Sequence, residues 1–292
     1  MSEMQRRIEQ VRNDREHGSR WLVRETIAIL RDIAMNEAMT PDERLQELQR
    51  AGVELAQARP AMAAIGGAVA RILNAPGGLA AMAREAGDLL AAYDSAPERI
   101  AGFACPVLQG TLMTLSISGT VLDVLRACAA TIERVIVLES RPRYEGRETA
   151  AALAKRGIAV TLITDAQADI FLPFSQAVVV GADSVLADGG VLNKAGTALL
   201  AWAARGHNVP FYVLCETLKI SPQHWTGDLS KLEEKEAGEV LERPIAGVSV
   251  RNFYFDHTPA EFISGIITEQ GPLDAAAIRR QAEQLREVAG PI

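Results

Sequence analysis

The spacing of apolar residues divides the chain into two parts. In the first part, apolar positions recur at helical intervals, most clearly over residues 19–38. The residues on that helical face are Leu22, Ile27, Leu30 and Ile33. The Ala-rich segment 61–93 keeps the same periodicity on both sides of a Pro-Gly-Gly break, which predicts two helices joined by a turn. We therefore predict a helical N-terminal domain over residues 1–104.

In the second part, short apolar runs alternate with helical patterns. The runs that we interpret as strands cover residues 111–116, 135–140, 159–164, 177–181 and 210–216. Helices are predicted around residues 121–130 and 147–156, and after residue 193. Apolar strands separated by helices are typical of a parallel sheet covered on both faces, and ligands of such sheets bind at the carboxyl ends of the strands. The predicted fold class is α/β, with a Rossmann-like, mainly parallel domain over residues 105–292.

The segment 177–206 carries the most distinctive chemistry. A buried strand delivers Asp183 to a turn-rich loop, Asn193 is placed to cap the next helix, and Gly206 is expected to be the C-cap of that helix. Free N–H groups at a helix start bind anions, and we expect Lys194 in the first turn to add positive charge. The alternative is that Asp183 and Asn193 only satisfy a turn and a cap, with Lys194 as a solvated charge.

Two further segments follow predicted strands. Ser118, Gly119 and Thr120 open a helix, and their small side chains leave N–H groups accessible, which suits either anion binding or a simple N-cap. Arg141 follows the strand at 135–140, where its guanidinium can form two hydrogen bonds to a phosphate, unless it is an ordinary surface side chain. We find no Gly-x-Gly-x-x-Gly pattern after a strand, so a dinucleotide is not indicated.

Several motifs occur in a distinctive order along the chain. They are Glu139-Ser140-Arg141-Pro142 with Gly146, Gly181-Ala182-Asp183, Asn193-Lys194-Ala195-Gly196-Thr197, Pro210-Phe211-Tyr212-Val213, and the segment 255–271. Together they resemble the family that unites the alpha, beta and delta regulatory subunits of eukaryotic initiation factor 2B with the isomerases of methylthioribose-1-phosphate and ribose-1,5-bisphosphate. An earlier pair, Arg59-Pro60, is similar to a pocket Arg-Pro pair of the ribose-1,5-bisphosphate isomerases.

The resemblance implies a catalytic pair that is only half present. In the isomerases, a Cys and the Asp of Gly-Ala-Asp move hydrogen between C1 and C2 of an opened sugar. Asp183 matches that Asp, but Ser116 stands at the position of the Cys. A serine hydroxyl is far less acidic than a thiol, so its acid/base function should be weaker. Cys215 could supply a substitute thiol, although a buried structural Cys is the commoner case.

The resemblance also implies a set of ligand-binding residues and an assembly. The implied binding residues are Arg59, Ser118, Gly119, Thr120, Glu139, Arg141, Gly146, Asn193, Lys194 and Lys219. The expected ligand is a phosphorylated sugar or a nucleotide. The segment 255–271 looks like the dimer interface of the family, so a homodimer or a higher homo-oligomer is expected.

Composition narrows the classes of partner. With a net charge of −7 over 292 residues, neither the backbone of a nucleic acid nor an anionic membrane is an obvious partner. The charged N-terminus lacks the apolar core of a signal peptide, so we expect a cytoplasmic protein. Cys105, Cys128 and Cys215 are too few and too scattered for a disulfide framework or a zinc site, so we expect reduced thiols, no metal and no cofactor.

Two functions remain open from the sequence. The first is a sugar-phosphate isomerase, whose activity is uncertain because Ser116 replaces the Cys. The second is a non-catalytic relative of the initiation factor 2B regulatory subunits, which acts in translation initiation or as a ligand sensor. The missing Cys favours the second function, whereas Asp183, Asn193 and Lys194 together favour a pocket that still binds a ligand.

Overall fold

A computed structural model describes residues 3–14 and 17–289, with the side chains of 286–289 left out. Its first part consists of five helices. They are α1 (Glu3–Asn13), α2 (Ser19–Ala34), α3 (Pro41–Ala58), α4 (Ala63–Leu73) and α5 (Gly78–Ala104). Thr40 caps α3 in a capping box with Glu43, and Leu22, Ile27 and Leu30 of α2 are buried. The predicted helical part and its break before α5 are confirmed; that it forms a separate domain ending at residue 104 stays a prediction.

The second part is built on a seven-stranded sheet. Its strands are β1 (Gly110–Leu115), β2 (Ile132–Leu138), β3 (Val160–Ile163), β4 (Ala177–Val180), β7 (Phe211–Leu214), β9 (Gly265–Thr268) and β10 (Gly271–Leu273), in the order β10-β9-β7-β4-β1-β2-β3. All neighbouring strands are parallel except β10, which runs antiparallel to β9. The predicted α/β class with a mainly parallel sheet is confirmed.

Further helices and a small second sheet complete the described chain. The helices are α6 (Gly119–Ala127), α7 (Glu145–Ala154), α8 (Ala168–Phe171), α9 (Thr197–Gly206) and α10 (Ala275–Ala289). The second sheet is antiparallel and consists of β5 (Ser184–Val185), β6 (Val191–Lys194) and β8 (Phe255–Thr258). Separate apolar clusters pack on the two faces of the large sheet, and a third fills the helical part. This third cluster also takes in Leu192 and Phe255 of the small sheet, which ties the two parts together.

The order of the strands marks where a ligand should bind. From β1 the chain continues to β2 and β3 on one side, and then returns to β4 on the other side. The carboxyl ends of β1 and β4 therefore flank the point where the winding direction reverses. In open α/β sheets, ligands bind in the crevice at such a point.

Three local predictions were wrong. Asn193 and Lys194 do not start a helix; they belong to β6 and pair with Asp256 and Phe255 of β8. Pairing with a strand about 60 residues away outweighs the local capping signal. The helix α9 instead begins after Gly196, whose φ of 107° lies in the left-handed region that favours glycine. Gly206 is the last residue of α9, and His207 is its C-cap.

The expectation of reduced thiols was also wrong for two cysteines. Cys105 and Cys128 form a disulfide, although 23 residues separate them. Cys105 ends α5 and Cys128 ends α6, and these two helices pack side by side, so their Cα atoms come within 5.2 Å. Cys215 is free and buried. None of the helices in residues 3–14 and 17–289 has both the length and the apolar character that a bilayer crossing requires.

Candidate functional site

A cavity of about 320 Å³ opens where β1 and β4 end, and we call it the first cavity. The sheet forms one wall, with Leu115 at the end of β1, Ser116 directly after it, and Gly181 to Asp183 after β4. The end of α1, the start of α2 and the strands β6 and β8 form the others. Six sequence-predicted site residues line it: Arg59, Ser116, Ser118, Asp183, Asn193 and Lys194. Residues far apart in the chain thus meet at the reversal point of the sheet.

Asp183 is held at the base of the first cavity by its neighbours. Its backbone N–H donates to the carbonyl oxygen of Leu192 at 2.9 Å. The Lys219 ammonium lies nearby, almost fully buried, and donates to the carbonyl oxygen of Ala182 at 2.6 Å. Burial raises the pKa of the Asp183 carboxyl, and the positive charge of Lys219 opposes part of that rise. A carboxyl with a raised pKa is suited to accept and return a proton near neutral pH.

Ser116 is held in an unusual backbone conformation beside Asp183's strand end. Its φ of 59° is left-handed, which is uncommon for a residue other than glycine. Its N–H donates to the Ser140 hydroxyl at 2.6 Å, and its carbonyl oxygen accepts from the Thr149 hydroxyl at 2.6 Å. Two side chains from neighbouring elements therefore fix this strained residue. Strain of this kind concentrates at functional sites, but the group presented here is a weakly acidic hydroxyl.

Cys215 is not placed to replace the missing thiol. It follows β7, it is completely buried, and it does not line the first cavity. Burial raises the pKa of its thiol, so it is a poor proton donor at neutral pH. The structural interpretation of Cys215 thus fits better than the catalytic one.

The start of α9 is not open for an anion. The Asp256 carboxylate of β8 accepts hydrogen bonds from the backbone N–H groups of Gly196, at 2.7 Å, and Ala198, at 3.1 Å. Burial raises the pKa of Asp256 to about 6, against the stabilising effect of these two N–H groups. A side chain of the protein itself therefore occupies the site that the sequence suggested for a phosphate. Lys194 instead reaches the first cavity from β6, where its ammonium contacts Glu145 at 2.6 Å.

Within the segment 118–120, Ser118 lies at the cavity, whereas Gly119 and Thr120 have packing or hydrogen-bonding roles elsewhere. Ser118 lines the first cavity, and its hydroxyl also caps α6 by accepting from the N–H of Val121 at 3.3 Å. Thr120 is buried and donates to Glu216 at 2.5 Å, away from the cavity wall. Gly119 packs against the Arg20 side chain. The capping interpretation holds for Ser118, which also lies on the cavity wall.

Three more of the predicted binding residues, Arg141, Glu139 and Gly146, lie away from the cavity wall, as do Gly119, Thr120 and Lys219. Arg141 is exposed and donates to the Tyr144 hydroxyl and a distant carbonyl oxygen. Glu139 accepts from Arg147 at 2.8 Å. Gly146 has a packing role, because a Cβ there would lie 1.8 Å from the carbonyl oxygen of Leu138. Arg143, two residues after Arg141, lines the cavity instead.

The sequence reasoning missed the start of α2. Gly18 is its N-cap and makes no side-chain capping bond, and both Gly18 and Ser19 line the first cavity. The first turn of this 16-residue helix therefore lies at the cavity without a side-chain cap for its N–H groups. A Gly-Ser pair ahead of an apolar-periodic run was a readable signal for this helix start. No local pattern marked the other missed residues, Arg12, Arg143 and Lys235.

The charges around the first cavity are mixed, with a slight positive excess. Among the described residues, the lining side chains include five Lys or Arg and four carboxylates, in a chain of net charge −7. The cations are Arg12, Arg59, Arg143, Lys194 and Lys235, and the carboxylates are Asp14, Glu145, Glu148 and Asp183. Within the part of the chain that the structure describes, no group of three His, Cys, Asp or Glu side chains is arranged to hold a metal ion.

Comparison with known proteins gives one family. A profile of the initiation factor 2 subunit family matches residues 15–275. A protein from Pyrococcus furiosus, named putative translation initiation factor eIF-2B subunit 2-like, is 34% identical over 272 residues, which cover 90% of this chain and 94% of that protein. Ribose 1,5-bisphosphate isomerase from Archaeoglobus fulgidus is 43% identical over 167 residues, 56% of this chain and 53% of the isomerase. This second match thus spans about half the length of the isomerase.

Solved structures agree with this result. The translation initiation factor eIF-2B of Pyrococcus horikoshii superposes with a TM-score of 0.81 at 28% identity, covering 94% of this chain and 98% of that one. The 5-methylthioribose 1-phosphate isomerase of the same organism gives a TM-score of 0.77 at 26% identity, covering 99% of this chain and 88% of that one. A translation initiation factor and an isomerase therefore share this fold.

Proposed function

The chain belongs to the initiation factor 2 subunit family, and from this membership and the first cavity we propose that it binds a phosphorylated sugar. One observation carries the proposal. The first cavity combines the buried Asp183 carboxyl with an uncapped helix start and five cationic side chains set among three further carboxylates, in an otherwise acidic chain. An anionic ligand with hydroxyl groups matches this combination of donors and acceptors.

The proposed orientation of the ligand follows from the positions of these groups. The N–H groups at Gly18 and Ser19 hold one phosphate, because an uncapped helix start carries partial positive charge. Arg143 and Lys194 face the cavity from another wall and hold a second anionic group or sugar hydroxyls. The sugar carbons then lie near Asp183. A ribose 1,5-bisphosphate, which carries a phosphate at each end, satisfies both ends of the cavity.

The chemistry that this site supports is incomplete. Isomerisation between an aldose and a ketose transfers a proton between C1 and C2, and Asp183 is suited to carry it because burial raises its pKa. The Ser116 hydroxyl is too weak an acid to complete the pair, and Cys215 does not face the cavity. Slow or absent turnover is the expected result. The absence of a suitable acid beside Asp183 favours the second candidate function, a non-catalytic ligand-binding regulatory subunit.

Thermal denaturation with added ribose 1,5-bisphosphate, 5-methylthioribose 1-phosphate and AMP tests ligand binding. A ligand that binds only the native state raises the melting temperature as its concentration rises. Arg143→Ala should weaken the binding of the effective ligand by roughly tenfold, since it removes a charge-assisted contact. Arg141→Ala is the matched control, because Arg141 lies outside the cavity wall. This variant should bind the ligand as tightly as the natural protein does. No shift with any of the three compounds would refute the proposal.

The proposal includes a homodimer. On α9, Leu199 is 69% exposed and Trp202 is 60% exposed, and the Trp202 ring packs on Phe262 at 4.1 Å between ring centroids. Phe262 belongs to the segment 255–271 that resembles the family's interface. Light scattering with size exclusion should give at least twice the 31.4 kDa chain mass. Trp202→Glu should shift the protein to the monomer, and a natural protein that is monomeric at micromolar concentration would contradict this part.

A further inference from the structure

Tyr254 lies directly before β8 and lines the first cavity together with Lys194 and Lys235. The Lys194 ammonium nitrogen lies over the Tyr254 ring, 4.7 Å from the ring centroid, and the Lys235 ammonium nitrogen lies 5.7 Å from the same centroid. Both distances fall within the roughly 6 Å over which the face of an aromatic ring attracts a cation. One ring therefore contacts two of the five cations that line the cavity among the described residues.

Each of these two ammonium groups also contacts one carboxylate. Lys194 lies 2.6 Å from Glu145, and Lys235 lies 3.0 Å from Glu233. An ammonium has three N–H donors, so one carboxylate partner leaves donors for a ligand. Lysine side chains are flexible, and holding one in a single position costs side-chain entropy. Because the ring already restricts both side chains, less of this entropy is lost when a ligand binds.

The Tyr254 ring is itself held in place by its hydroxyl and its backbone. The hydroxyl donates to Glu239, at 2.7 Å from Oε1 and 2.6 Å from Oε2. Glu239 in turn accepts from the side-chain amide of Asn252 at 2.9 Å. The backbone N–H of Tyr254 donates to the carbonyl oxygen of Glu233 at 3.2 Å, and its carbonyl oxygen accepts from the N–H of Ala195 at 2.8 Å. The ring therefore has a fixed position without a ligand.

The Tyr254 phenol keeps its proton at neutral pH. Burial raises its pKa, and the hydrogen bond to Glu239 adds to the rise, while the hydrogen bond from Arg143 opposes it. A neutral phenol attracts cations to its ring face without adding a negative charge to the cavity. Tyr254 therefore holds the two lysines without neutralising either of them.

We propose that Tyr254 is a positioning residue, which holds Lys194 and Lys235 toward the anionic part of a phosphorylated ligand. This role rests on the ligand binding proposed above, and it adds Lys235 to the groups that contact the ligand. Tyr254→Leu removes the aromatic face and should weaken the binding of ribose 1,5-bisphosphate by about tenfold, measured by isothermal titration calorimetry. Tyr254→Phe keeps the face and should weaken binding less than Tyr254→Leu does. Phe253→Leu is the matched control, because it removes a neighbouring aromatic ring that does not line the cavity.

NMR of the lysine side chains tests the geometry without a ligand. The chain contains five lysines, so selective ¹³C labelling of lysine gives few ε-methylene signals. Protons that lie over an aromatic ring are shielded, and their signals move upfield. We expect two upfield ε-methylene signals in the natural protein, which Lys194→Arg and Lys235→Arg assign. Both signals should persist in Tyr254→Phe and Phe253→Leu and return to the ordinary position in Tyr254→Leu.

Circular dichroism establishes that each variant is folded before its binding is compared. Absence of the two upfield signals from the natural protein would overturn the role of Tyr254, whether or not Tyr254→Leu folds. Equal affinity of the natural protein and Tyr254→Leu for ribose 1,5-bisphosphate would overturn this role alone and leave the proposed binding in place. Absence of binding by the natural protein would overturn this role together with the proposed binding of that ligand.

Discussion

The starts of α2 and α9 are alike in sequence, but their backbone N–H groups differ in whether a side chain of the protein binds them. Each follows a glycine N-cap that makes no side-chain capping bond, and each begins with a hydroxyl residue, Ser19 or Thr197. At α9, however, Asp256 comes in from β8 and accepts from two backbone N–H groups. At α2, the Asp183 carboxyl is hydrogen-bonded to the Ser19 side chain, and among the described residues no carboxylate accepts from the first backbone N–H groups, which belong to a helix start that lines the first cavity.

The difference shows that a helix start becomes an anion site only when the fold leaves it open. Free N–H groups and the helix dipole favour a negative charge at both places. The protein supplies that charge itself at α9, where the partner carboxylate is far away in sequence. At α2 the backbone N–H groups are left for the proposed ligand, beside the Asp183 carboxyl that bonds the Ser19 side chain. The proposed function depends on this distinction, and the predictions below test each side of it.

The largest expected effect concerns chemistry beside the open helix start. If α2 holds one phosphate, the sugar carbons lie beside Ser116 and Asp183, and Ser116→Cys should restore the missing acid. General acid/base transfer contributes about 100- to 10,000-fold, so isomerisation of ribose 1,5-bisphosphate should rise by at least about 100-fold. A coupled assay or NMR of the sugar product measures it.

The control combines both positions. Asp183→Asn in the Ser116→Cys background should abolish the gain, because residues that act as a unit are not additive. Fast turnover by the natural protein that survives Asp183→Asn would place the chemistry elsewhere and would contradict the orientation proposed for the ligand.

The next effect concerns the closed helix start and its dependence on pH. Burial raises the pKa of folded Asp256 to about 6, above its ordinary 3.8, so the folded state keeps a proton that the unfolded state has released. The free energy of unfolding should therefore fall as pH rises from about 4 to about 6, by up to about 3 kcal/mol. Denaturant titrations across this interval measure the fall.

Asp256→Asn should remove this part of the pH dependence, because asparagine does not titrate. Asp88→Asn serves as the control, since Asp88 is exposed on α5 and its replacement should leave the curve nearly unchanged. Equal slopes for the natural protein and Asp256→Asn would show that the carboxylate at α9 does not titrate as the structure indicates.

The smallest effect isolates the open N–H group at α2. Proline is well suited to the first helical position, and Gly18 already has the extended backbone, with ψ 167°, that a residue before proline adopts. Ser19→Pro should therefore fold normally but weaken sugar-phosphate binding by roughly tenfold, through the loss of one donor to a phosphate. Ser19→Ala keeps the N–H and controls for the lost hydroxyl. Equal affinities of the two variants would remove the N–H group from the site.

Much of the fold could be predicted from local sequence patterns. Runs of apolar residues such as 177–180 marked the buried strands, and the helical periodicity of residues 19–33 marked α2. Because ligands bind where parallel strands end, the motifs at Ser116 and Asp183 could be expected to meet, and both line the first cavity. These inferences need only short-range sequence and a general rule of sheet topology.

Contacts between distant residues could not be predicted in the same way. Asn193 and Lys194 resemble a helix start, yet pairing with β8 makes them strand. Arg141 and Arg143 flank one proline, and only the tertiary structure decides that Arg143 faces the cavity. The bond between Cys105 and Cys128 depends on the packing of α5 against α6. Each of these features rests on a partner that no local pattern identifies.

A crystal structure of the protein with ribose 1,5-bisphosphate tests the central claim most directly. The account predicts a phosphate within hydrogen-bond distance of the Ser19 N–H, sugar carbons beside Asp183, and Asp256 still bound to the start of α9. A phosphate at the Gly196 N–H with Asp256 displaced, or a ligand seated outside the first cavity, would contradict it.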